Sequence, residues 1–349
     1  MKLAAVAMVR NEADIIESFV RHNLQYLDRL VVVDHNSDDG TPEILLQLQR
    51  ENLPLTVERE TTLAFNQAHR LTQDARNLAV AEKPDWIFCL DADEFIRAPS
   101  RAALESVLDG TPGDAVVIPW QTYLPSEKVH DPRNPLAQAR ERPRIDPIPE
   151  MKVVLARKLA SGNDWLLAHG NHGVSRADAN GEQQLLHTET LDGIALAHFP
   201  IRSPDQLVKK VTLGWFGHRL LLGREEAETT QQGWHWRELF KRYAAGHWPD
   251  RAEMRGLTIG TYIYKGDSVA GKTKPLNLVH DPLPLPALRY TSLKSQSAHV
   301  ALVRWIEALL SLESSMRGPS FDSIRARARG RRTRTPDTRS TARPCARRT

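Results

Sequence analysis

Within the first 91 residues, four short apolar runs alternate with segments whose apolar residues recur at helical spacing, and this alternation restricts the fold more than any other feature. Leu3–Val9 is an unbroken apolar run, as a strand covered on both faces requires. Ile15, Ile16, Phe19, Val20, Leu24 and Leu27 then follow the three-and-four spacing of a helix over Asp14–Leu27. Leu30–Val33 predicts a second buried strand, Glu43–Arg50 a helix, Leu55–Glu58 a third strand, Ala68–Glu82 a helix and Asp85–Leu90 a fourth strand. Thr41 is expected to cap the second helix, with Pro42 in its first turn. Strands separated by helices build a mainly parallel central sheet through right-handed crossovers, so the fold class is α/β. Ligands bind such sheets beyond the carboxyl ends of the strands. Arg10-Asn11-Glu12, Asp34–Asp39 and Asp91–Glu94 each begin where an apolar run stops, which places three polar loops on one rim.

Beyond residue 110 the pattern loosens. Ala115–Ile118, Lys152–Ala156 and Ile194–His198 read as further strands, and prolines and charges between Pro119 and Pro149 predict an irregular loop. Pro204–Arg219 and Trp234–Tyr243 read as helices, and Val300–Leu312 as an amphipathic helix. From Ile324 onward apolar residues give out, and a disordered extension is expected. The expected division is a catalytic domain over 1–200, a helical region over 201–320 and an Arg-rich tail over 321–349.

The chemistry concentrates in Ile87-Phe88-Cys89-Leu90-Asp91-Ala92-Asp93-Glu94-Phe95. Two carboxylates one residue apart at a strand terminus can share a hard divalent ion, Mn²⁺ or Mg²⁺, and leave ligand positions open for phosphate oxygens. An acidic loop that merely caps the next helix is the bland alternative. Asp34, at the end of the second strand, can accept hydrogen bonds from a ribose or a base, while Ser37 to Thr41 also suits a solvated turn. Arg76, in Asp74-Ala75-Arg76-Asn77, can pair with a phosphate, although a helical Arg is more often a solvated charge.

Met8-Val9-Arg10-Asn11-Glu12, Val33–Thr41, Ala75-Arg76-Asn77 and Leu90–Phe95, in that order, resemble glycosyltransferase family 2, and specifically the bacterial branch with this metal motif. Ala197–Ser203 is also similar to a segment of that branch. The resemblance implies a GT-A fold, an inverting transfer and a nucleotide-sugar donor, usually UDP-linked. By position, Asn11 and Asp34 would line the nucleoside pocket, and Asp91 and Asp93 would hold ribose, metal and diphosphate. His35-Asn36 departs from the acidic residue and glycine more common in the wider family. A late histidine often joins the metal in such enzymes, which nominates His198 as a ligand. Arg202, Lys209 and Lys210 are cations that can reach the diphosphate. An inverting transfer needs a general base on the face opposite the leaving group. Glu189, His172 and Asp192 are the candidates, with Glu189 preferred.

Composition narrows the setting. A net charge of +4 arises from the Arg-rich tail, whose only acid after Ile324 is Asp337; the remainder is acidic, and no nucleic-acid partner is expected. Two cysteines, Cys89 and Cys345, cannot build a disulfide framework and fit a reducing, cytoplasmic compartment. The apolar N-terminus lacks a cleavage site after its run and reads as a strand rather than a signal peptide. The acceptor is expected to be a glycan or a lipid-linked glycan, with the tail either solvated or in peripheral contact with anionic lipid at the inner membrane face. Two rival functions share the strand-helix plan. A nucleotidyltransferase would need a Gly-rich loop after the first strand, where Arg10-Asn11-Glu12-Ala13 has none, and a degenerate binding protein would not need both Asp91 and Asp93.

Overall fold

Alternate residues of the first apolar run enter two different cores. Leu3, Ala5, Ala7 and Val9 pack on one face of the sheet, and Ala4, Val6 and Met8 on the other. The computed structural model describes all residues except 63, 65, 127–133, 147–149, 231–232, 261–276, 291–305, 307–308 and 310–349. The expected Val300–Leu312 helix and the Arg-rich tail therefore lie almost wholly outside the described residues.

The N-terminal alternation runs β1 (Leu3–Val9), α1 (Ile16–Asn23), β2 (Arg29–His35), α2 (Thr41–Arg50), β3 (Leu55–Glu60), α3 (Gln67–Ala81) and β4 (Trp86–Asp91). It continues through β5 (Glu94–Arg97), α4 (Arg101–Asp109), β6 (Ala115–Thr122), β7 (Glu141–Pro143), β8 (Met151–Ala156), α5 (Arg157–Ala160), β9 (Trp165–Leu167), β10 (Val174–Ala177) and β11 (Gln183–Leu185). The remaining elements are β12 (Glu189–Thr190), β13 (Ala195–His198), α6 (Pro204–Leu222), α7 (Arg224–Thr229), α8 (Trp234–Ala244), α9 (Arg251–Gly260) and β14 (Leu278–His280). The central sheet has the order β3-β2-β1-β4-β8-β6-β13-β5, with β12 beside β6. Strands β3, β2, β1 and β4 are parallel, whereas β8 runs antiparallel to both β4 and β6, and β5 antiparallel to β13. The fold is a mixed α/β sheet flanked by helices, mainly parallel as expected. Residues Met1–Val303, including α6 to α9, form one compact unit, and Arg304–Thr349 a second.

Helices cover both faces because their apolar stripes match the two cores. Ile16, Phe19 and Val20 of α1 join Ile44, Leu45 and Leu48 of α2 on one face, and Leu71, Ala75 and Leu78 of α3 cover the other. Each of these side chains larger than alanine, fully buried, contributes ~1.5–3 kcal/mol.

Three local expectations change. Thr41 is the first helical residue rather than the cap; its hydroxyl accepts the Glu12 amide at 2.9 Å and so ties the end of β1 to α2. The segment after Pro119 is partly regular, since β6 extends to Thr122 and β7 pairs with β14. The sharp reversal that makes β5 from Glu94 was invisible to periodicity because four residues are too few to show one. Among the described residues, no helix is long and apolar enough to cross a membrane.

Residues Arg289 and Tyr290 return to α1 and α2. Backbone amides of Arg289 and Tyr290 donate to the buried Glu17 carboxylate at 2.7 and 2.9 Å, and Arg21 grips Glu51 with two bonds of 2.6 and 2.8 Å. The Arg21 hydrogen bonds hold Glu51 at about 2, against an ordinary 4.5. A carboxylate depressed in the folded state adds stability above about pH 4.5 that is lost as pH falls toward 2. Glu51→Gln is expected to flatten the dependence of Tm on pH between 4.5 and 2; an unchanged slope would show that the tie does not contribute.

Candidate active site

The three polar loops do meet at the carboxyl rim of β1, β2 and β4, and backbone geometry explains how. Asn11 and Asn36 take left-handed conformations, φ 58° and 54°, which Asn tolerates better than most residues. The Asn11 side chain accepts the Asp38 amide at 2.9 Å, and the Asn11 amide donates to Ser37 Oγ at 2.9 Å. Asp34 is buried, and its carboxylate accepts the Ser37 amide at 3.3 Å. Asn11 and His35 line a cavity of about 350 Å³ that also takes in Asp91, Asp93, His172, His198 and Lys210. Asp34 is not among its lining residues.

Asp91 ends β4, and both its oxygens are engaged. Gln67 Nε2 donates at 2.6 Å and Lys152 Nζ at 2.5 Å. Lys152 stands at the start of β8, is 1% exposed, lies 3.2 Å from Glu94 Oε1, and donates to the Gly170 carbonyl at 2.7 Å. Burial opposes its charge, but Asp91 and Glu94 raise its proton affinity above that of an ordinary lysine. Glu94 is itself fully buried and accepts from the Asp91 amide and the Trp120 indole, both at 2.8 Å. Burial pushes the Glu94 pKa up to about 8, with the Lys152 ammonium and the Asp91 amide offsetting only part of the rise.

Asp93 lies in the tight turn between β4 and β5. Antiparallel pairing of β5 with β13 sets Glu94 opposite His198, so the turn and the strand end converge. Asp93 Oδ2 accepts Lys210 Nζ from α6 at 2.6 Å and is 4.0 Å from His198 Nε2. Burial would raise its proton affinity, yet Lys210 and Arg202 hold it well below the usual carboxylate range. His198 is stacked on Trp120 with ring centres 3.8 Å apart, and burial pushes its pKa down to about 3. It is therefore neutral, the form that ligates metals. Ligand atoms of Asp93, Glu94 and His198 lie within 4.8 Å of one another, all buried. Two carboxylates and a neutral imidazole suit Mn²⁺ or Mg²⁺. Glu94 had no role in the sequence reading, although its place directly after Asp-Ala-Asp was the available signal. Asp91 lies outside that group, bound by Lys152 instead.

The other nominated residues separate. His172 lines the cavity, with Nδ1 2.8 Å from the Met151 carbonyl and 3.6 Å from Glu150 Oε2. Glu150 also lines the cavity and had been passed over. Glu189 is exposed on β12 opposite Val116, and Asp192 is exposed beyond it; neither lines the cavity. Arg76 donates to the carbonyls of Gly162, Asn163 and Trp165 and stacks over the Trp165 ring, 5.0 Å from its centre. It fastens the segment after α5 to α3 and is absent from the cavity lining. Arg202 is spent on Glu12 and Asp14, joining the start of α6 to the loop after β1. Lys209 and Lys210 both line the cavity.

The rim thus gathers acids, imidazoles and ammonium groups into one cavity. Residues 5–136 match the family model described as Glycosyl transferase family 2. No curated protein matches the chain. Among solved structures, S. aureus TarS (residues 1–349, in complex with UDP) is similar at 12% identity and a TM-score of 0.37, covering 74% of this chain and 81% of that one. A Pyrobaculum calidifontis mannosyltransferase in complex with GDP-Man and Mn²⁺ is similar at 16% identity and a TM-score of 0.32, covering 94% and 79%. Glucosyl-3-phosphoglycerate synthase from Mycobacterium tuberculosis, in complex with Mn²⁺, UDP and glucosyl-3-phosphoglycerate, shows 16% identity and a TM-score of 0.27 over 45% and 57%. At this level of likeness no residue role is carried across.

Removing Lys152 would strand two acids in the rim. Lys152→Met is expected to cost ~3–5 kcal/mol in urea unfolding, as for a buried ion pair that loses one partner. Adding Glu94→Gln should restore part of that loss; a double variant no better than the single one would contradict the charge-balance account.

Proposed function

We propose that this chain is an inverting glycosyltransferase that moves a sugar from a nucleotide-diphosphate donor, UDP-linked as the family resemblance implies, to a hydroxyl acceptor. The carrying observation is the convergence of Asp93, His198 and Lys210 on the cavity that also takes in Asn11 and His35. In this reading residues 1–200 bind the donor, and α6 and α8 supply the wall toward the acceptor. Asn11 and His35 face the nucleoside, with Asp34 setting the loop between them.

Asp93 and His198, with Glu94 behind them, would hold Mn²⁺ or Mg²⁺, which offsets charge on a departing diphosphate without proton transfer. Lys210 adds a positive charge beside Asp93. Asp91 acts through Lys152 and Gln67, which keep the turn before Asp93 in place. For the base, the geometry favours His172 over Glu189. Donation from Nδ1–H to the Met151 carbonyl selects the tautomer whose Nε2 can accept the hydroxyl proton. Burial and then Lys152 lower its proton affinity, so the ring is neutral at pH 7, and Glu150 nearby can stabilise the imidazolium that forms.

Two measurements test this. Asp93→Asn should lower metal-dependent release of nucleotide from a UDP-sugar by ~10²-fold or more while far-UV circular dichroism is unchanged; retained turnover would remove the site. His172→Gln should lower kcat, and the wild-type rate should fall as pH drops through the depressed pKa of a neutral imidazole, with a plateau above it. Glu189→Gln is expected to leave both rate and profile alone. The opposite pattern would return the base to Glu189.

A further inference from the structure

The cavity has a second half that the donor chemistry does not use. Its wall is built from Leu213 and Gly214 of α6 and from Gly233, Trp234, His235 and Trp236 at the start of α8. No residue of this stretch carries a fixed charge.

The wall is built for a flat aromatic surface. Gly214 sits inside α6, and a Cβ there would come within 2.8–3.0 Å of the Trp236 indole, so only glycine lets that ring lie against the helix. Gly233, at φ 67°, turns the chain into α8 in a left-handed conformation that glycine adopts without strain. A Cβ at Gly233 would also press on His218, at 3.2 Å, and on Trp236, at 3.4 Å. Two glycines from separate elements thus set one indole. His235 packs beside it with ring centres 5.2 Å apart, and His169 and His172 line the same cavity.

We infer that this wall is the acceptor subsite and that the acceptor is an uncharged saccharide, docked with a ring face on Trp236 and Trp234. The inference rests on the glycosyltransferase reading of the same cavity and adds the substrate class. A pyranose presents an apolar face of C–H groups and a rim of hydroxyls. Indole planes match the face, and neutral imidazoles, each with one donor and one acceptor, match hydroxyls that do both. Burial keeps His235 neutral, at about 4, and lowers His169 as well. A phosphate or carboxylate acceptor would find no cation on this stretch, and of the two lysines that line the cavity Lys210 is paired with Asp93 and Lys209 lies 3.9 Å from Asp38.

The test uses the full chain with UDP and Mn²⁺ and reads saturation-transfer NMR on named probes. These are methyl glycosides of glucose, galactose and N-acetylglucosamine and their β-linked disaccharides, set against glycerol phosphate and glucuronate. The expected result is transfer to the neutral glycosides, abolished in Trp236→Ala and reduced at least fivefold in Trp234→Ala and Gly214→Ala. Gly214→Ala retains both indoles but displaces Trp236 from the helix, so it reads the position of that ring rather than its presence; circular dichroism and UDP affinity verify the fold of each variant. Equal glycoside binding by the variants, no binding by the wild type, or binding of the anionic probes alone would overturn the inference. Donor hydrolysis, run in parallel, separates it from the underlying reading. Hydrolysis without glycoside binding sinks the subsite alone, whereas Trp-dependent glycoside binding without hydrolysis sinks the transferase reading and leaves a saccharide site.

Discussion

A buried ammonium balances the acids of the rim. Lys152 is almost fully enclosed, yet it touches Asp91, Glu94 and the Gly170 carbonyl at once. In a poorly solvated rim, unpaired carboxylates would repel each other and either protonate or open the loop. The lysine offsets part of the burial that pushes the pKa of Glu94, packed against Trp120, up to about 8. It also fastens the His169–Asn171 turn, and with it the chain leading to His172, to the end of β4.

That position depends on strand direction. A parallel strand beside β4 would bring its own carboxyl end to the rim. Because β8 runs the other way, it brings its first residues there, so Glu150, Met151 and Lys152 all arrive beside the cavity. One reversed strand thereby supplies a cation for Asp91, a carbonyl for His172 and a carboxylate near that ring. The reversal at β5 does similar work on the other side. By turning back at once after Asp93 and pairing with β13, it places Glu94 opposite His198 and assembles acids and imidazole from distant parts of the chain.

The N-terminal half of the fold was legible because its signals are local. Apolar runs such as Leu3–Val9, Leu30–Val33 and Trp86–Leu90 and helical stripes in Phe19, Ile44 and Leu71 declare which face is buried, and polar loops at run ends declare the rim. Asp93 and His198 could be nominated, since strand termini and residue types point to them. Glu94 could not, because an acid next to two acids reads as solvated until its burial is known. Arg76 misled in the opposite way: a helical arginine near an acidic motif invites a phosphate, but three backbone carbonyls 86 to 89 residues away had already claimed it.

By itself the sequence determined the alternating α/β plan, the rim where chemistry gathers and the likeness of residues 5–136 to glycosyltransferase family 2, since these follow from short-range periodicity and contiguous motifs. Only the tertiary structure decided which charges are paired. It gave Asp91 to Lys152, Asp93 to Lys210 and Arg202 to Glu12 and Asp14, and it set Glu189 apart from the cavity while bringing His172 into it. The reason is physical. Partner choice for a buried charge depends on strand order, strand direction and desolvation, and none of these is a property of neighbouring residues along the chain.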